Sequence, residues 1–480
     1  MIISYYGKKF LKKFNEVENK TLTSKEFFVE YFYPIFFGEE NSLMEATNSP
    51  FTNAAYYLNY FMKADIEKNG MTWNKDWFKR GELILEKIPE TEKTYLLNNL
   101  SKYKKERKQF IIDKFIEKIK NKEFDASMFI GGYAKGLCST TSFNLPSDYN
   151  NIIDENEIYY SWIGQALSLQ FKGINFLFND ENILFDIYLG WKKYRELLSD
   201  PLYKDYKGGQ ISTWNMLWLT NLYAPISHQQ KKFNPFEQNK DKLVSSSWVK
   251  LLFYVATKHP EKTVNAYAYK FGQTNETYGN IPIELKKIEG FLNFCSEYFG
   301  KNEFLNSSAL YEKVYGTGYS MEKICEFGSI GLLALKPELL KLEEKTHKTT
   351  FDQDSLKNLY KGLVENESIY KFYNIYLMAT LNLKDIEKDV IEIAKSIYSF
   401  DDATRKNNKM LIEELLATRN LSGFLNCINK MMEICTEEHL TVYADVLTKL
   451  INLGLSDESK LSNVMLLINI NYNKIKLENK

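Results

Sequence analysis

The seven residues from Thr47 to Asn53, in the order TNSPFTN, contain five short polar side chains around a proline and a phenylalanine. The proline disfavours the α conformation for Ser49, and asparagine and threonine side chains hydrogen-bond their own backbone, so the stretch predicts a structured turn. Amides and hydroxyls displayed on such a turn can contact base edges or phosphates without carrying a charge. The plainer interpretation of the local sequence is a polar N-cap for the helix expected from residue 54 onward.

A second polar stretch follows at residues 138–147, in the order CSTTSFNLPS. Small polar residues around one phenylalanine and one proline predict an ordered loop. The residues before it, Met128 to Ile130 and then Gly131-Gly132, predict a short strand and a turn. Further strands are expected at residues 173–178 and 211–219, the latter because large apolar residues alternate at Trp214, Met216 and Trp218.

One long helix is expected between these two polar stretches, from residue 98 to residue 124. Its apolar stripe contains Ile112, Phe115, Ile116 and Ile119. The other faces are strongly basic, with Lys102, Lys104, Lys105, Arg107, Lys108, Lys114, Lys118, Lys120 and Lys122 against Glu106, Asp113, Glu117 and Glu123. A charge run of this kind is usually a solvated face, and contact with nucleic acid is the alternative.

No catalytic constellation can be recognised along the chain. The sequence lacks a phosphate-binding G-x-x-x-x-G-K-[ST] loop, a dinucleotide-binding G-x-G-x-x-G, a zinc-binding H-E-x-x-H and a G-x-S-x-G nucleophile motif. The four histidines, at positions 228, 259, 347 and 439, lie far apart and in different kinds of segment. We therefore expect a non-enzymatic protein with no catalytic residues, no cofactor and no metal.

The totals limit the class of protein. A chain of 480 residues with 44% hydrophobic and 26% charged residues predicts about two or three folded domains. Because Lys+Arg and Asp+Glu both number 62, the whole surface cannot wrap nucleic acid, although a local basic groove is compatible with neutrality. Five cysteines without C-x-x-C spacing, no signal peptide at the start and no long apolar run predict a soluble, cytoplasmic protein without membrane contact.

Helical periodicity dominates from residue 246 and is almost unbroken after residue 335. Apolar stripes recur at helical spacing, first at Ile386, Val390, Ile393, Ala394 and Ile397, and again at Leu440, Tyr443, Ala444, Leu447 and Ile451. The expected class is α+β, with a mixed, mostly helical N-terminal domain holding a small sheet (residues 1–345) and an all-α C-terminal bundle (residues 346–480).

Three short sequence motifs, taken in their order along the chain, resemble a known family. The turn Asn48-Ser49-Pro50-Phe51 follows an aromatic block, the loop leads into Phe143-x-Leu145-x-Ser147-Asp148, and a later run closes in Leu219-Thr220-Asn221. This order is similar to that of the large subunit of type I CRISPR Cascade, in particular the Cst-type, CXXC–CXXC family of subtype I-B-like systems. These motifs are short and degenerate, and they are spread over nearly the whole chain.

The sequence departs from that family at its cysteines. Only Cys138 stands where the first cysteine pair would lie, and Tyr160-Ser161-Trp162 occupies the place of the second. A structural zinc site needs four ligands, so we expect no metal here and packing in its place.

The resemblance implies a DNA-sensing subunit that performs no reaction. Guide RNA, bound with its backbone and handle-binding subunits, would read the target, while this chain reads the short target-adjacent motif on duplex DNA, aids strand opening and recruits the helicase-nuclease. Motif contacts would come from Asn48, Ser49, Asn53, Thr140, Thr141 and Asn144, and phosphate contacts from Lys102, Lys105, Lys108 and Lys135. An internal translation start at Met321 or Met378 would yield a separate small subunit equal to the bundle, although a start at Met378 would cut a helix.

Two other classes of protein fit parts of the sequence. A stand-alone helical protein-interaction scaffold without nucleic-acid binding explains the neutral charge and the missing site equally well. A nuclease that uses scattered acidic residues is the third possibility. Salt-sensitive duplex binding that depends on a flanking sequence would distinguish the DNA-sensing subunit from these two classes.

Overall fold

The protein is described by a computed structural model. It describes residues 2–39, 41–44, 51, 55–79, 82–122, 154–203, 206, 208–224, 235, 243, 247–260, 262–270, 276–299, 314, 325, 328–337, 340, 360–362, 364–381, 386–404, 409–434, 448 and 458–479. The described chain is mostly helical and contains a small four-stranded antiparallel sheet, which confirms the predicted α+β class. Every regular element described after residue 346 is a helix.

The longer helices are α1 (Ile2–Val17), α2 (Ser24–Phe27 and Tyr33–Phe37, joined by the π-helical turn Phe28–Phe32), α3 (Ala55–Lys68), α4 (Glu90–Asn98), α5 (Leu100–Lys120), α6 (Glu155–Ala166), α7 (Glu181–Ser199), α8 (Ile211–Leu222), α9 (Trp248–Lys258), α10 (Leu285–Phe299), α11 (Glu367–Leu381), α12 (Ile386–Thr404), α13 (Lys409–Ala417), α14 (Leu421–Ile434) and α15 (Glu458–Glu478). The expected long basic helix is α5. Its apolar stripe is confirmed at Ile112, Phe115 and Ile119, which are buried, whereas Ile116 is half-buried.

Two sheets are formed by short strands. The first pairs β1 (Phe78–Lys79) with β2 (Glu82–Leu83). The second has the order β3 (Leu169–Phe171), β4 (Ile174–Phe178), β5 (Thr263–Lys270) and β6 (Glu276–Glu284). The strand predicted at residues 173–178 is thus confirmed as β4. All five of its residues are buried, so both faces of the sheet are covered at this strand.

The aromatic block of α2 is a helix with one widened turn. Thr23 caps its start and forms a capping box with Glu26. In the π-helical turn the Tyr33 amide donates to the carbonyl of Phe28, directly before Pro34, which has no amide to donate. A proline ring crowds the carbonyl four residues earlier, so a widened turn at this point lets the helix continue to Phe37.

The strand predicted at residues 211–219 is wrong, because Ile211–Leu222 is the helix α8. Trp214 and Trp218 are four residues apart and lie on one helical face, with ring centroids 6.4 Å apart and planes within 15°. Their indole N–H groups donate to the carbonyls of Gly190 and Asp186 on α7, at 2.8 and 2.7 Å. The alternation of large residues looked like a strand because the helix is buried on most sides and shows little polar periodicity.

The chain divides into two compact units. The first contains residues 1–224, 231–246 and 264–281, and the second contains residues 225–230, 247–263 and 282–480. The boundary predicted near residue 345 lies outside the described residues and stays a prediction. In the second unit the predicted stripe of α12 is confirmed, since Ile386, Val390, Ile393, Ala394 and Ile397 are all buried. The second predicted stripe, residues 440–451, lies outside the described residues.

Helix α15 passes through the core of the second unit and carries buried asparagines. The Asn471 amide donates to Asn374 on α11 at 3.2 Å, and the Tyr370 hydroxyl donates to the Asn471 side-chain oxygen at 2.6 Å. Asn469 donates to the carbonyl of Leu416 at 3.3 Å. Because a buried amide without a partner is costly, these bonds favour one register of α15 against its neighbours. Met378 lies inside α11, so a start there would indeed cut that helix.

Candidate nucleic-acid interface

Helix α5 carries the basic surface that the sequence predicted. Between Leu100 and Lys120 it has eight basic and three acidic side chains. Its buried residues are Tyr103, Ile111, Ile112, Phe115 and Ile119, which occupy one side and leave the charges on the others. Lys105 is exposed, Lys102 is half-exposed and Lys108 is half-buried, so the three predicted phosphate-binding lysines on this helix have different environments.

Lys102 belongs to a polar network that joins α5 to α3. Its ammonium lies 3.4 Å from one carboxylate oxygen of Asp65, and the hydroxyls of Tyr103 and Tyr95 donate to the other at 2.7 and 3.0 Å. The hydrogen bond from Tyr103 is the main cause that lowers the pKa of Asp65, and those from Tyr95 and Lys102 add to it. Lys102 would therefore reach a phosphate only by leaving an ionised partner.

Lys108 is held at the end of α2. Its ammonium donates to the carbonyl of Gly38, and the hydroxyl of Tyr33 donates to the carbonyl of Lys108 itself at 2.9 Å. Burial is the main cause that lowers the pKa of Lys108, an effect that Glu39 opposes and the positive charge of Arg107 reinforces. A cation at the last carbonyls of a helix is favourable, so Lys108 has a structural role in addition to any contact with a ligand.

Arg195 completes the end of α2 from the side of α7. Its Nε donates to the carbonyl of Ile35 at 2.6 Å, and its Nη2 donates to the carbonyls of Phe36 and Asn41 at 3.3 and 2.8 Å. Burial lowers the pKa of Arg195 to about 10, and Glu39 opposes the shift. Together with Lys108 it holds the carbonyls of four residues that precede the predicted turn, namely Ile35, Phe36, Gly38 and Asn41.

Arg195 is not among the site residues predicted from the sequence. Its residue type was a usable signal, because only five of the 62 basic residues are arginine, at positions 80, 107, 195, 405 and 419. Arginine presents several donors in a fixed planar arrangement that one lysine cannot replace, so each arginine of a lysine-rich chain is a candidate for a specific geometric role.

One residue of the predicted turn at 47–53 is described, and it is buried. Phe51 is 6% exposed. Its ring lies 4.7 Å from that of Phe37 and 5.4 Å from that of Tyr33 on α2, and 4.9 Å from that of Phe115 on α5. Trp162 on α6 closes the group at 5.2 Å. The turn is thus attached at Phe51 to the same aromatic core as the basic helix.

The predicted motif-reading residues Asn48, Ser49, Asn53, Thr140, Thr141 and Asn144 lie outside the described residues, as do Lys135 and Cys138. The Tyr160-Ser161-Trp162 segment lies in α6, where Ser161 and Trp162 are fully buried. Among the residues that the structure describes, no group of three or more His, Cys, Asp or Glu side chains is placed to hold a metal ion. In the same part of the chain, every helix is too short or too polar to cross a membrane.

Comparisons of the chain with protein-family models, with curated proteins and with solved structures find no match. The function is therefore argued from the residues alone.

Proposed function

We propose that this chain is the large, non-catalytic subunit of an RNA-guided CRISPR surveillance complex of the I-B-like type. In that role it recognises the short target-adjacent motif on duplex DNA, aids strand opening and recruits the helicase-nuclease. Guide RNA with its backbone and handle-binding subunits, and the target duplex, are its partners.

The observation that carries the proposal is the burial of Phe51 between α2 and α5. It ties Phe51 of the TNSPFTN stretch to the helix with eight basic side chains, so the predicted phosphate-binding surface and the predicted turn share one core at this residue. Phosphate contacts position a protein on DNA and uncharged polar side chains read base edges, so these two features form a natural pair. The bonds of Arg195 and Lys108 add support, because they hold Ile35, Gly38 and Asn41, which precede the predicted turn.

The first test identifies the RNA and the proteins that purify with the chain. The chain is co-expressed with the proteins encoded beside it and purified through a tag on the chain. We expect a guide RNA and backbone and handle-binding subunits to co-purify, and the complex to bind a duplex in a manner that depends on the flanking motif and on salt. Isolation of the chain without RNA, with no duplex binding at low salt, would favour the stand-alone scaffold.

A matched pair of lysine variants tests the interface itself. Lys105→Ala should weaken duplex binding for every flanking sequence and reduce the slope of log affinity against log salt by about 1. Lys102→Ala removes a lysine already paired with Asp65 and should have the smaller effect. Equal binding by wild type and the Lys105 variant would remove that residue from the interface.

The small subunit is a separate part of the proposal. An immunoblot against a C-terminal tag should show a second, shorter band, and replacing Met321 with leucine should abolish it. A single full-length band in wild type would contradict this part without affecting the rest.

A further inference from the structure

An exposed tyrosine lies at the junction of α3 and α5. Helix α3 turns Leu58, Phe61, Met62 and Ile66 towards a local core that includes Trp77, Leu96 and Tyr103. Tyr60 lies on the opposite side of α3 and is 62% exposed. Single exposed aromatic residues are common on protein surfaces, so exposure alone carries no meaning here.

Tyr60 lies beside an aromatic residue of α5, Phe110. Its ring lies 6.5 Å from the ring of Phe110 on α5, and the two planes are within 21° of parallel. Phe61 braces Phe110 from the core side, with centroids 5.5 Å apart and planes at 82°. The Phe110 ring therefore supports the exposed Tyr60 ring in a nearly parallel orientation, and Phe61 in turn holds Phe110 in place.

A cation lies over the Phe110 ring. Lys114 follows Phe110 by one helical turn, is exposed, and places its ammonium 5.0 Å from the centre of the Phe110 ring. Of the acidic side chains nearby, Glu67 pairs with Lys63 at 3.7 Å and Asp113 accepts from the amide of Gln109 at 2.9 Å. The exposed Tyr60 ring therefore lies beside a second ring and a cation of α5, the helix that carries the largest excess of basic side chains identified in the sequence.

We propose that Tyr60, Phe110 and Lys114 form a stacking platform for single-stranded nucleic acid. Stacking on the exposed Tyr60 ring suits any base, because every base has a flat π face, and a lysine on the neighbouring helix can pair with the phosphate that follows the stacked base. A duplex offers no free base faces along its length, so the platform should prefer single strands. Within the complex proposed above the ligand would be the displaced DNA strand; that assignment rests on the proposed function, whereas the platform itself does not.

The probe is a fluorescein-labelled single strand of twenty thymidines, and its fluorescence anisotropy is measured with the purified full chain at low salt. Tyr60→Ala should weaken binding about ten-fold, whereas Tyr60→Phe keeps the ring and should stay within about two-fold of wild type. Tyr5→Ala is the matched control, because Tyr5 is 51% exposed on α1 and should leave the affinity unchanged. Lys114→Gln should reduce both the affinity and its salt dependence.

An abasic strand of the same length separates stacking from charge. Wild type should bind it about as weakly as Tyr60→Ala binds the thymidine strand, and Tyr60→Ala should show no further loss. The proposal is overturned if wild type does not bind the thymidine strand, binds the abasic strand equally well, or is unaffected by Tyr60→Ala. Binding with these properties but without guide RNA or motif dependence would retain the platform and reject the surveillance complex. Loss of the platform would leave motif-dependent duplex binding by the complex unchanged.

Discussion

The ring of Phe51 meets the ring of Phe115 with centroids 4.9 Å apart and planes at 60°. This contact joins Phe51, the described residue of the predicted turn, to the basic helix α5, which lies far from it in the sequence. An edge-to-face pair of this kind adds to the stability gained from burial of both rings. The position of Phe51 relative to α5 therefore depends on this pair.

Replacement of Phe51 by alanine should destabilise the first compact unit by about 3–5 kcal/mol, because a large buried side chain is removed and its neighbours refill the cavity only in part. Phe51→Leu retains most of the apolar volume and should cost clearly less. Urea denaturation followed by circular dichroism measures both. A midpoint for Phe51→Ala equal to that of wild type would mean that the turn is not anchored here.

The Asp65 network should make stability sensitive to acid. Because the folded-state pKa of Asp65 is lowered, its contribution is complete above the unfolded-state pKa of about 3.9 and is lost as the pH falls through the folded value. Asp65→Asn should therefore differ most from wild type near neutral pH, and the difference should shrink below about pH 4. Urea midpoints at pH 7, 5 and 3.5 test this, and parallel curves would contradict it.

The same network can be tested through its buried donor. Tyr103 is fully buried and its hydroxyl donates to Asp65 at 2.7 Å. Tyr103→Phe keeps the packing and removes the donor, so it should cost about 1.5 kcal/mol at neutral pH. In the Asp65→Asn background the same substitution should cost less, since a hydrogen bond to a neutral amide is weaker. Equal costs in both backgrounds would show that the charge of Asp65 contributes nothing to this bond.

Periodicity predicted the elements that have one buried face. The stripe of α12 and most of the stripe of α5 follow from 3.6-residue spacing, because these helices have a solvated side that makes the pattern visible. Helix α8 was misassigned because it is largely buried, and its orientation is set by contacts with α7 that sequence spacing does not reveal. A side chain at Gly190 would overlap the indole of Trp218. The tryptophan of α8 therefore packs against α7 only because position 190 is glycine.

The candidate site was predictable in composition but not in geometry. The excess of lysine on α5 was visible in the sequence, whereas the partners of Lys102 and Lys108 depend on Asp65 and Gly38, which come from other elements. The platform at Tyr60 was missed for a related reason. The chain has 33 tyrosines, and the sequence does not show that α3 packs against α5 and places Tyr60 beside Phe110.

Two glycines allow helices α1 and α6 to approach each other closely. A Cβ atom at Gly7 would overlap the carbonyl oxygen of Tyr160, and one at Gly164 would overlap that of Ile3. Gly7→Ala should therefore destabilise the protein by about 3 kcal/mol, because backbone atoms on both sides must move apart. Gly290→Ala in α10 is the matched control: no atom lies within 4 Å of its added Cβ. It should stabilise the helix by about 0.5–1 kcal/mol, and equal effects of the two substitutions would contradict the close approach.

Asn215 on α8 holds the chain between α6 and β3 and gives the sharpest test of a buried contact. Its side chain is fully buried, and its amide nitrogen donates to the carbonyls of Ala166 and Ser168 at 2.7 and 2.8 Å. Asn215→Ala leaves both carbonyls without this donor and should cost about 2–3 kcal/mol, with the same cost at every pH. Asn215→Asp has nearly the same shape but turns a carboxylate towards two carbonyl oxygens.

The aspartate variant should therefore depend on pH while the alanine variant does not. Burial and the facing carbonyls raise the folded-state pKa of the new carboxyl above about 3.9, so the unfolded chain loses its proton first as the pH rises. Its destabilisation should be greatest at neutral pH, where it exceeds that of Asn215→Ala, and should shrink towards pH 4, where the protonated acid donates to one carbonyl. Urea midpoints of the three proteins between pH 4 and pH 8 measure the effect. A constant difference between the aspartate and alanine variants over this range would show that residue 215 is accessible to water and that its two hydrogen bonds do not fix the end of α6.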